Sequence, residues 1–198
     1  MREYIGVSAP VFYSDMVPEL EDIINSRNFA EFIGRKEDEY FEAKGATAYD
    51  LGSPLGRYEL AKDAAAFANL SGGYLVIGLA TEPLIEENTD KVVSLDLLAQ
   101  DSLRTEQVRG VISEHVYPSI QDLTIEWIDY PGDVGRGVVV IRVPPQDEDR
   151  KYFLVKNVME EGRQIRGIVF GIVQRNGSSN QPLTIGQLYE KIRRGKSS

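Results

Sequence analysis

The sequence predicts an α+β fold in a single domain, in which helices pack on a mixed β-sheet. Segments with the 3.6-residue apolar period of a helix and segments with the two-residue alternation of a strand follow one another in mixed order along the 198 residues. No internal repeat and no linker-like stretch separates two domains. An apolar fraction of 42% and a charged fraction of 27% indicate a globular protein rather than a disordered one.

The N-terminal part of the chain predicts one helix and one strand. The helix is expected over residues 17–27, where Pro18 suits the first turn. After a loop, a strand is expected over residues 39–44. Its two-residue alternation places Glu42 and Lys44 together on the polar face of that strand.

The next segment predicts a helix that turns directly into a central strand. The helix is expected over residues 54–68, with Ser53 as its N-cap. Asn69, which tolerates left-handed geometry, and the pair Gly72-Gly73 are expected to make the reversal. Residues 74–79 are almost wholly apolar, which is typical of a strand covered on both faces.

The second half of the chain predicts further strands and two helices. Residues 82–100 are expected to form an irregular excursion without regular structure. A turn at Pro131-Gly132-Asp133 predicts a hairpin around it. Thr184 and Gln187 have the spacing of a capping box, which predicts a final helix after Thr184. The other predicted elements are a helix over 105–116, hairpin strands over 123–128 and 137–143, and strands over 152–155 and 168–175.

Composition excludes several classes of site and of location. The chain contains no cysteine, so disulfides and cysteine-ligated metal sites are excluded. No apolar run approaches the ~20 residues that span a bilayer, and no signal peptide is visible, so we expect a cytoplasmic protein without a membrane partner. No phosphate-binding glycine loop and no GxSxG motif is present. The single histidine, His115, lies on an apolar helix face and is expected to be structural.

Charge is distributed unevenly along the chain. The net charge is −9, which argues against a protein that coats nucleic acid over its whole surface. Residues 150–198 carry ten basic and three acidic residues, a net of +7, and the rest of the chain carries −16. Such asymmetry indicates a polyanion-binding face or a contact between two copies of the chain. The alternative is that the basic segment only neutralises the acidic body.

Three segments together carry a family resemblance. They are Glu37–Lys44 (EDEYFEAK), Ala66–Leu79 (AFANLSGGYLVIGL) and Arg175–Ser178 (RNGS). Their order and spacing resemble the Schlafen-type AlbA-like domain family, and the resemblance covers most of the chain from Glu37 onward. It implies an AlbA/Schlafen-like domain over residues 36–198, preceded by an N-terminal helical extension over residues 1–35.

The resemblance implies a nucleic-acid-binding domain, for DNA or RNA, without catalysis. The basic C-terminal segment would then supply salt-sensitive contacts to phosphates. The candidate contact residues are Lys156, Arg163, Arg166, Arg175, Arg193 and Arg194.

A second function implied by the resemblance is a metal-dependent endoribonuclease that acts on structured RNA. Glu37 and Glu42 match the family's pair of glutamates five residues apart and would hold Mg²⁺ or Mn²⁺, with Lys44 contacting a phosphate or holding the Glu42 carboxylate. The family's third acidic position reads Ala80-Thr81 here, with Glu82 close by. The alternative is that Glu37 and Glu42 lie on a solvated strand edge.

A third function is a protein-interaction or regulatory module, for example in bacterial phage defence. The acidic body of the chain supports this interpretation, because it offers a surface for a protein partner. A homodimer would also pair the acidic body of one copy with the basic segment of another.

Overall fold

The computed structural model describes residues 11–156, 159–160, 163–164, 170–184, 186–188 and 190. The described residues include the α-helices α1 (Val11–Ser26), α2 (Pro54–Ala68) and α3 (Thr105–His115). The strands are β1 (Phe41–Lys44), β2 (Gly73–Ile77), β3 (Leu79–Leu84), β4 (Thr89–Leu95), β5 (Leu98–Ala99), β6 (Val116–Tyr117), β7 (Thr124–Asp129), β8 (Arg136–Val143), β9 (Leu154–Lys156), β10 (Met159–Glu160), β11 (Arg163–Gln164), β12 (Phe170–Asn176) and β13 (Ser179–Pro182).

The strands form two main sheets and two separate hairpins. The first sheet has the order β1-β2-β8-β5, with β7 also paired to β8. It is mixed, because β1 runs parallel to β2 and the other pairs are antiparallel. The second sheet has the order β13-β12-β9-β6 and is antiparallel, while β3 pairs with β4 and β10 pairs with β11. The expected α+β fold with a mixed sheet is confirmed.

Apolar side chains cover both faces of the first sheet. Along β2, Leu75 and Ile77 point into a core shared with α2, α3 and β9. Tyr74 and Val76 point the other way, into a core shared with α1 and with a 3-10 turn at Phe29–Phe32. The strict alternation of β2 explains why nearly every one of its residues is apolar. Since α2 also contacts β9 and β12, it lies between the two sheets.

Several sequence expectations are confirmed at the level of single elements. The second helix spans Pro54–Ala68, and the Ser53 side chain accepts a hydrogen bond from the Gly56 amide at 3.0 Å, as an N-cap does. The strands β7 and β8 form the expected hairpin. At the C-terminal end, the Gln187 amide donates to the Thr184 hydroxyl at 3.3 Å and the Thr184 amide donates to Gln187 at 2.9 Å, the reciprocal bonds of a capping box.

Three expectations about element boundaries are wrong. The segment 82–100 is not irregular, because β3 and β4 form a hairpin and β5 follows it. Only Leu79 and Val92 are buried in that hairpin, so its apolar alternation is too weak to read. The central strand ends at Ile77, because Gly78 adopts φ 118°, a conformation that ordinary residues avoid. The first helix already includes Val11, six residues before its expected start, so that Pro18 lies in its interior.

The reversal between α2 and β2 depends on Asn69, Gly72 and Gly73. Gly72 has φ 78°, and a Cβ atom at this position would lie 2.4 Å from the Val143 carbonyl oxygen. Asn69 is right-handed, with φ −79°, and not left-handed as expected. Its buried side chain instead ties the helix end to the second sheet. It donates to the carbonyls of Phe153 (3.0 Å) and Val173 (2.7 Å) and accepts from the Phe153 amide (2.7 Å).

No helix in the described part of the chain has the length and apolar character that a bilayer span requires.

His115 is buried, and its Nδ1 atom lies 3.0 Å from the Val111 carbonyl oxygen. Because a carbonyl oxygen can only accept a hydrogen bond, Nδ1 is the donor. This confirms the structural role expected for His115.

Candidate functional site

The polar face of β1 is covered by protein rather than by water. Phe41 and Ala43 face the core beside α1, and Glu42 therefore faces the opposite side, toward α2 and β12. Glu42 is buried, and its two carboxylate oxygens have different cationic partners. Lys44 Nζ lies 2.5 Å from Oε1, and Arg175 Nη1 contacts Oε2. The alternative of a solvated strand edge for Glu42 is wrong.

Arg175 is the central cation of this cluster. Its side chain is 0% exposed, and its guanidinium lies over the Phe67 ring at 4.6 Å from the ring centroid. Besides the Glu42 carboxylate, it donates from Nε to the Asp38 carbonyl at 2.8 Å and from Nη2 to the Phe41 carbonyl at 3.0 Å. One side chain of β12 thus holds the start of β1 through three acceptors.

Asp63 of α2 brings a further carboxylate into the same buried region. Its Oδ2 accepts from the Tyr49 hydroxyl at 2.5 Å, and its Oδ1 accepts from the Asn180 amide at 2.6 Å. Asn180 Oδ1 in turn lies 3.4 Å from Arg175 Nη1. We call Glu37, Glu42, Lys44, Asp63 and Arg175 the charge network.

Glu37 lies just before β1 and closes the outer edge of that strand. The backbone N–H and C=O groups of successive β1 residues point alternately toward β2 and away from it. The Ala43 amide is one of those that point away from β2. Glu37 Oε1 accepts from this amide at 3.0 Å. The Phe41 carbonyl, which also points away, accepts from Arg175. The network therefore satisfies the backbone groups that an edge strand would otherwise leave unpaired.

The pKa values of the network differ because burial and partners differ. Burial raises the pKa of Glu37 to about 7, although the Lys44 charge opposes the rise. Burial would also raise the pKa of Glu42, but the charges of Arg175 and Lys44 hold it below its ordinary value. Burial and the Glu42 charge raise the pKa of Asp63 to about 7. At pH 7 Glu42 is ionised, while Glu37 and Asp63 titrate.

A pH profile of stability follows from Glu37. Its pKa is about 7 when folded against 4.5 for the ordinary group, so the unfolded chain binds fewer protons between these values and stability falls as pH rises through this window. Glu37→Gln cannot ionise but can still accept from the Ala43 amide. We expect its free energy of unfolding, relative to that of the native sequence, to rise by about 3 kcal/mol between pH 4.5 and pH 8. Urea denaturation at several pH values measures this change. The exposed Glu86→Gln is the control, and an identical profile for both variants would contradict the burial of the Glu37 charge.

The residues at Glu37 and Glu42 do not fit a metal centre in this arrangement. Mg²⁺ and Mn²⁺ need carboxylate oxygens that are free to coordinate. Both oxygens of Glu42 are held by Lys44 and Arg175, and one oxygen of Glu37 is held by a backbone amide. Within the described ranges, no three His, Cys, Asp or Glu side chains lie close enough together to hold a metal ion.

Of the six predicted nucleic-acid contacts, two have described side chains, Arg175 and Lys156. Arg175 cannot reach a phosphate, because its side chain is fully buried, and we withdraw it from the candidate contacts. Lys156 is exposed at the end of β9. Arg163 lies in β11, and nothing is described of its side chain. Arg166, Arg193 and Arg194 lie outside the described residues.

Lys156 lies on one sheet face with an exposed aromatic ring, and two further cations bond to the segment that carries this ring. Tyr117 is 64% exposed, and it pairs with Leu154, two residues before Lys156, so that Tyr117 and Lys156 lie on the same face of the second sheet. Three cations donate to carbonyls of the segment 114–123. Lys156 donates to Glu114 (3.0 Å), Arg150 to Ser119 (3.2 Å) and Arg109 to Leu123 (3.0 Å). We call Tyr117, Lys156, Arg150 and Arg109 the Tyr117 face.

Two residues of these sites are absent from the sequence-based predictions. Asp63 had a detectable signal, because it lies three residues after Leu60 and four before Phe67, on the buried stripe of α2. A carboxylate at such a position requires buried partners. Tyr117 had none, because an exposed tyrosine cannot be told from a buried one by its neighbours in sequence.

Comparisons with known proteins find solved structures that are similar to this chain. The solved structures that match include the crystal structure of the DIP2311 protein from Corynebacterium diphtheriae, with 14% identity and a TM-score of 0.45. The match covers 89% of this chain and 34% of that protein, so the chain spans about a third of its length. Another is the N-terminal domain of a RecG-related protein from Nitrosomonas europaea, with 20% identity, a TM-score of 0.37, and coverage of 83% of this chain and 92% of that domain.

The sequence comparisons give one family. A search of curated proteins finds no significant match. The sequence profile of the Schlafen, AlbA_2 family matches residues 36–184, which includes β1, α2, β2 and β12 and therefore the whole charge network. The chain belongs to the Schlafen AlbA_2 family.

Proposed function

We propose that this chain is a nucleic-acid-binding module that binds single-stranded segments at the Tyr117 face and does not hydrolyse them. The observation that supports it most directly is the exposed Tyr117 ring beside Lys156 on one sheet face. An exposed aromatic ring flanked by cations is the arrangement that stacks an unpaired base and attracts its phosphates. Family membership supports the same ligand class.

The electrostatics of this face are favourable although the chain as a whole is acidic. Lys156, Arg150 and Arg109 converge on the segment 114–123, which itself carries two carboxylates, Glu114 and Asp122. The three cations exceed the two carboxylates of that segment by one, against a net charge of −9 for the whole chain. Binding that depends on a local patch of a few cations is sensitive to salt.

The positions of the candidate catalytic residues support the proposed absence of hydrolysis. Glu42 is buried between two cations, with Lys44 at one carboxylate oxygen and Arg175 at the other. In this arrangement the ammonium group of Lys44, whose side chain is 28% exposed, is held by that carboxylate. The network then has a structural function, which is to fix β1 to β12 and α2.

The test is a titration of labelled single-stranded RNA and DNA followed by fluorescence anisotropy. Tyr117→Ser is expected to weaken binding about 10-fold, because stacking of one base contributes about 1–3 kcal/mol. Lys156→Glu is expected to weaken binding and to reduce its dependence on salt concentration. Arg136→Glu, an equal change of charge at an exposed position of β8, is the control. Equal affinities for Lys156→Glu and Arg136→Glu would show that the Tyr117 face is not the binding surface.

A further inference from the structure

A second concave site lies at Glu37, and it shares no residue with the Tyr117 face. It is a cleft of about 320 Å³, within the size range of ligand pockets. Three segments form it: Glu37 before β1, the tip of the β3–β4 hairpin, and the turn between β12 and β13. The lining residues are Glu37, Pro83, Leu84, Ile85, Asn88, Thr89, Asp90, Ser178 and Ser179. We call it the Glu37 cleft.

Hydrogen bonds between the walls preform the cleft. The Glu37 amide donates to the Asp90 carbonyl at 2.8 Å, and the Thr89 hydroxyl donates to the Glu37 carbonyl at 2.9 Å. The Ser178 hydroxyl donates to the Asn88 carbonyl at 3.2 Å. These bonds join all three segments, so a ligand would find the cleft already assembled and would lose little affinity to ordering it.

The Glu37 carboxyl group has an unused acceptor in this cleft. The residue is 6% exposed, and one of its oxygens accepts from the Ala43 amide. Among the described residues, no group donates to its second oxygen, and this oxygen is not one of the buried atoms left without a partner. A ligand in the cleft that donates a hydrogen bond to it would add a charge-assisted bond to the ionised carboxylate.

The charges that line the cleft have one sign. Glu37 and Asp90 supply carboxylates, and Asn88 and the two serines supply neutral polar groups. No lysine or arginine from the part of the chain that the structure describes lines the cleft. The nearby cations Lys44 and Arg175 are already paired with Glu42. At the rim, Ile85 is 89% exposed, and Pro83 and Leu84 extend the apolar wall.

We propose that the Glu37 cleft binds a guanidinium or primary ammonium group carried on an aliphatic chain. The N–H donors of such a group would meet Glu37 and Asp90, and its methylene groups would pack on Pro83, Leu84 and Ile85. An anion is disfavoured by the two carboxylates. A nucleic-acid strand is disfavoured in addition by Glu86, an exposed carboxylate at the hairpin tip. The chemistry is shared by arginine or lysine side chains of a protein and by free polyamines.

The experiment uses the whole ¹⁵N-labelled chain and follows amide shifts on addition of N-acetyl-arginine methylamide, spermidine, magnesium chloride or guanosine monophosphate. Saturable shifts at residues of the cleft with the arginine derivative support a protein side chain as the source, and shifts with spermidine alone support a free polyamine. Glu37→Gln and Asp90→Asn are each expected to weaken this binding at least five-fold, and Glu86→Gln, outside the cleft, is expected to leave it unchanged.

Two variants are used so that a folding defect in one of them does not decide the test. Asp90→Asn keeps the backbone hydrogen bond from the Glu37 amide to the Asp90 carbonyl, which joins two walls of the cleft. Unchanged affinity in both Glu37→Gln and Asp90→Asn would overturn the proposal. Tighter binding of magnesium or of guanosine monophosphate at the same amides would also overturn it. Failure of RNA binding by Tyr117→Ser has no bearing on this cleft, so the two proposals fail independently.

Discussion

Replacing Arg175 by leucine is expected to lower the free energy of unfolding by about 3–5 kcal/mol, the cost of breaking a buried ion pair by removing one partner. The variant leaves the Glu42 carboxylate buried with Lys44 as its remaining cation. It also removes the donor to the Asp38 carbonyl and the guanidinium that lies over Phe67. Urea denaturation followed by circular dichroism measures the change.

Arg142→Leu is the matched control for Arg175. Arg142 also forms an ion pair, with Glu21 at 3.2 Å, but its side chain is 45% exposed, so its loss is expected to cost about 1 kcal/mol or less. The double variant Arg175→Leu with Glu42→Gln should be less destabilised than the sum of the two single variants, because the unpaired charge is gone. If Arg175→Leu and Arg142→Leu were equally stable, the network would not hold β1 to β12 as described.

Asn69→Ala is expected to cost about 3 kcal/mol. Its side chain makes three buried hydrogen bonds, to the Phe153 and Val173 carbonyls and from the Phe153 amide. Alanine leaves these backbone groups without partners, and each unsatisfied buried group costs about 1–3 kcal/mol before relaxation and water entry reduce the sum. Thermal and urea denaturation both report this loss.

A second substitution distinguishes hydrogen bonding from helix capping at this position. Asn69→Asp keeps the acceptor for the Phe153 amide but places a carboxylate oxygen against two carbonyls, so it should destabilise the protein at least as much as alanine does. Asn28→Ala removes an exposed side-chain bond to Glu31 and serves as the control, with a change of about 0.5 kcal/mol or less. A tolerated Asn69→Asp would mean that the residue only ends the helix.

Local patterns predicted most of the secondary structure because local chemistry determines it. Ser53 and Pro54 define the start of α2, and the turn at Pro131-Gly132 joins β7 and β8. The β3–β4 hairpin escaped prediction because its residues are mostly half-exposed, and a strand without a clearly apolar face has no period to detect. Gly78 ended the central strand earlier than its apolar run suggested.

The candidate site was predictable only in part, since its contacts are not local. Strand parity correctly placed Glu42 and Lys44 on one face of β1. Parity could not show that α2 and β12 cover this face, because Arg175 is 133 residues away from Glu42 in sequence. This separation in sequence also explains why Arg175 was predicted as a surface cation. Its own segment is basic, and its buried partner Glu42 lies in a distant part of the sequence.

The most direct test of nucleic-acid binding without hydrolysis is incubation of the native chain with labelled transfer RNA in the presence of Mn²⁺ or of EDTA. Native protein and a chelator are preferable to Glu42→Gln, because that substitution also disturbs a buried ion network and would confound folding with activity. We expect RNA that stays intact on a denaturing gel in both conditions and is shifted on a native gel at low salt. Discrete fragments that form with Mn²⁺ and disappear with EDTA would contradict a structural role for the charge network.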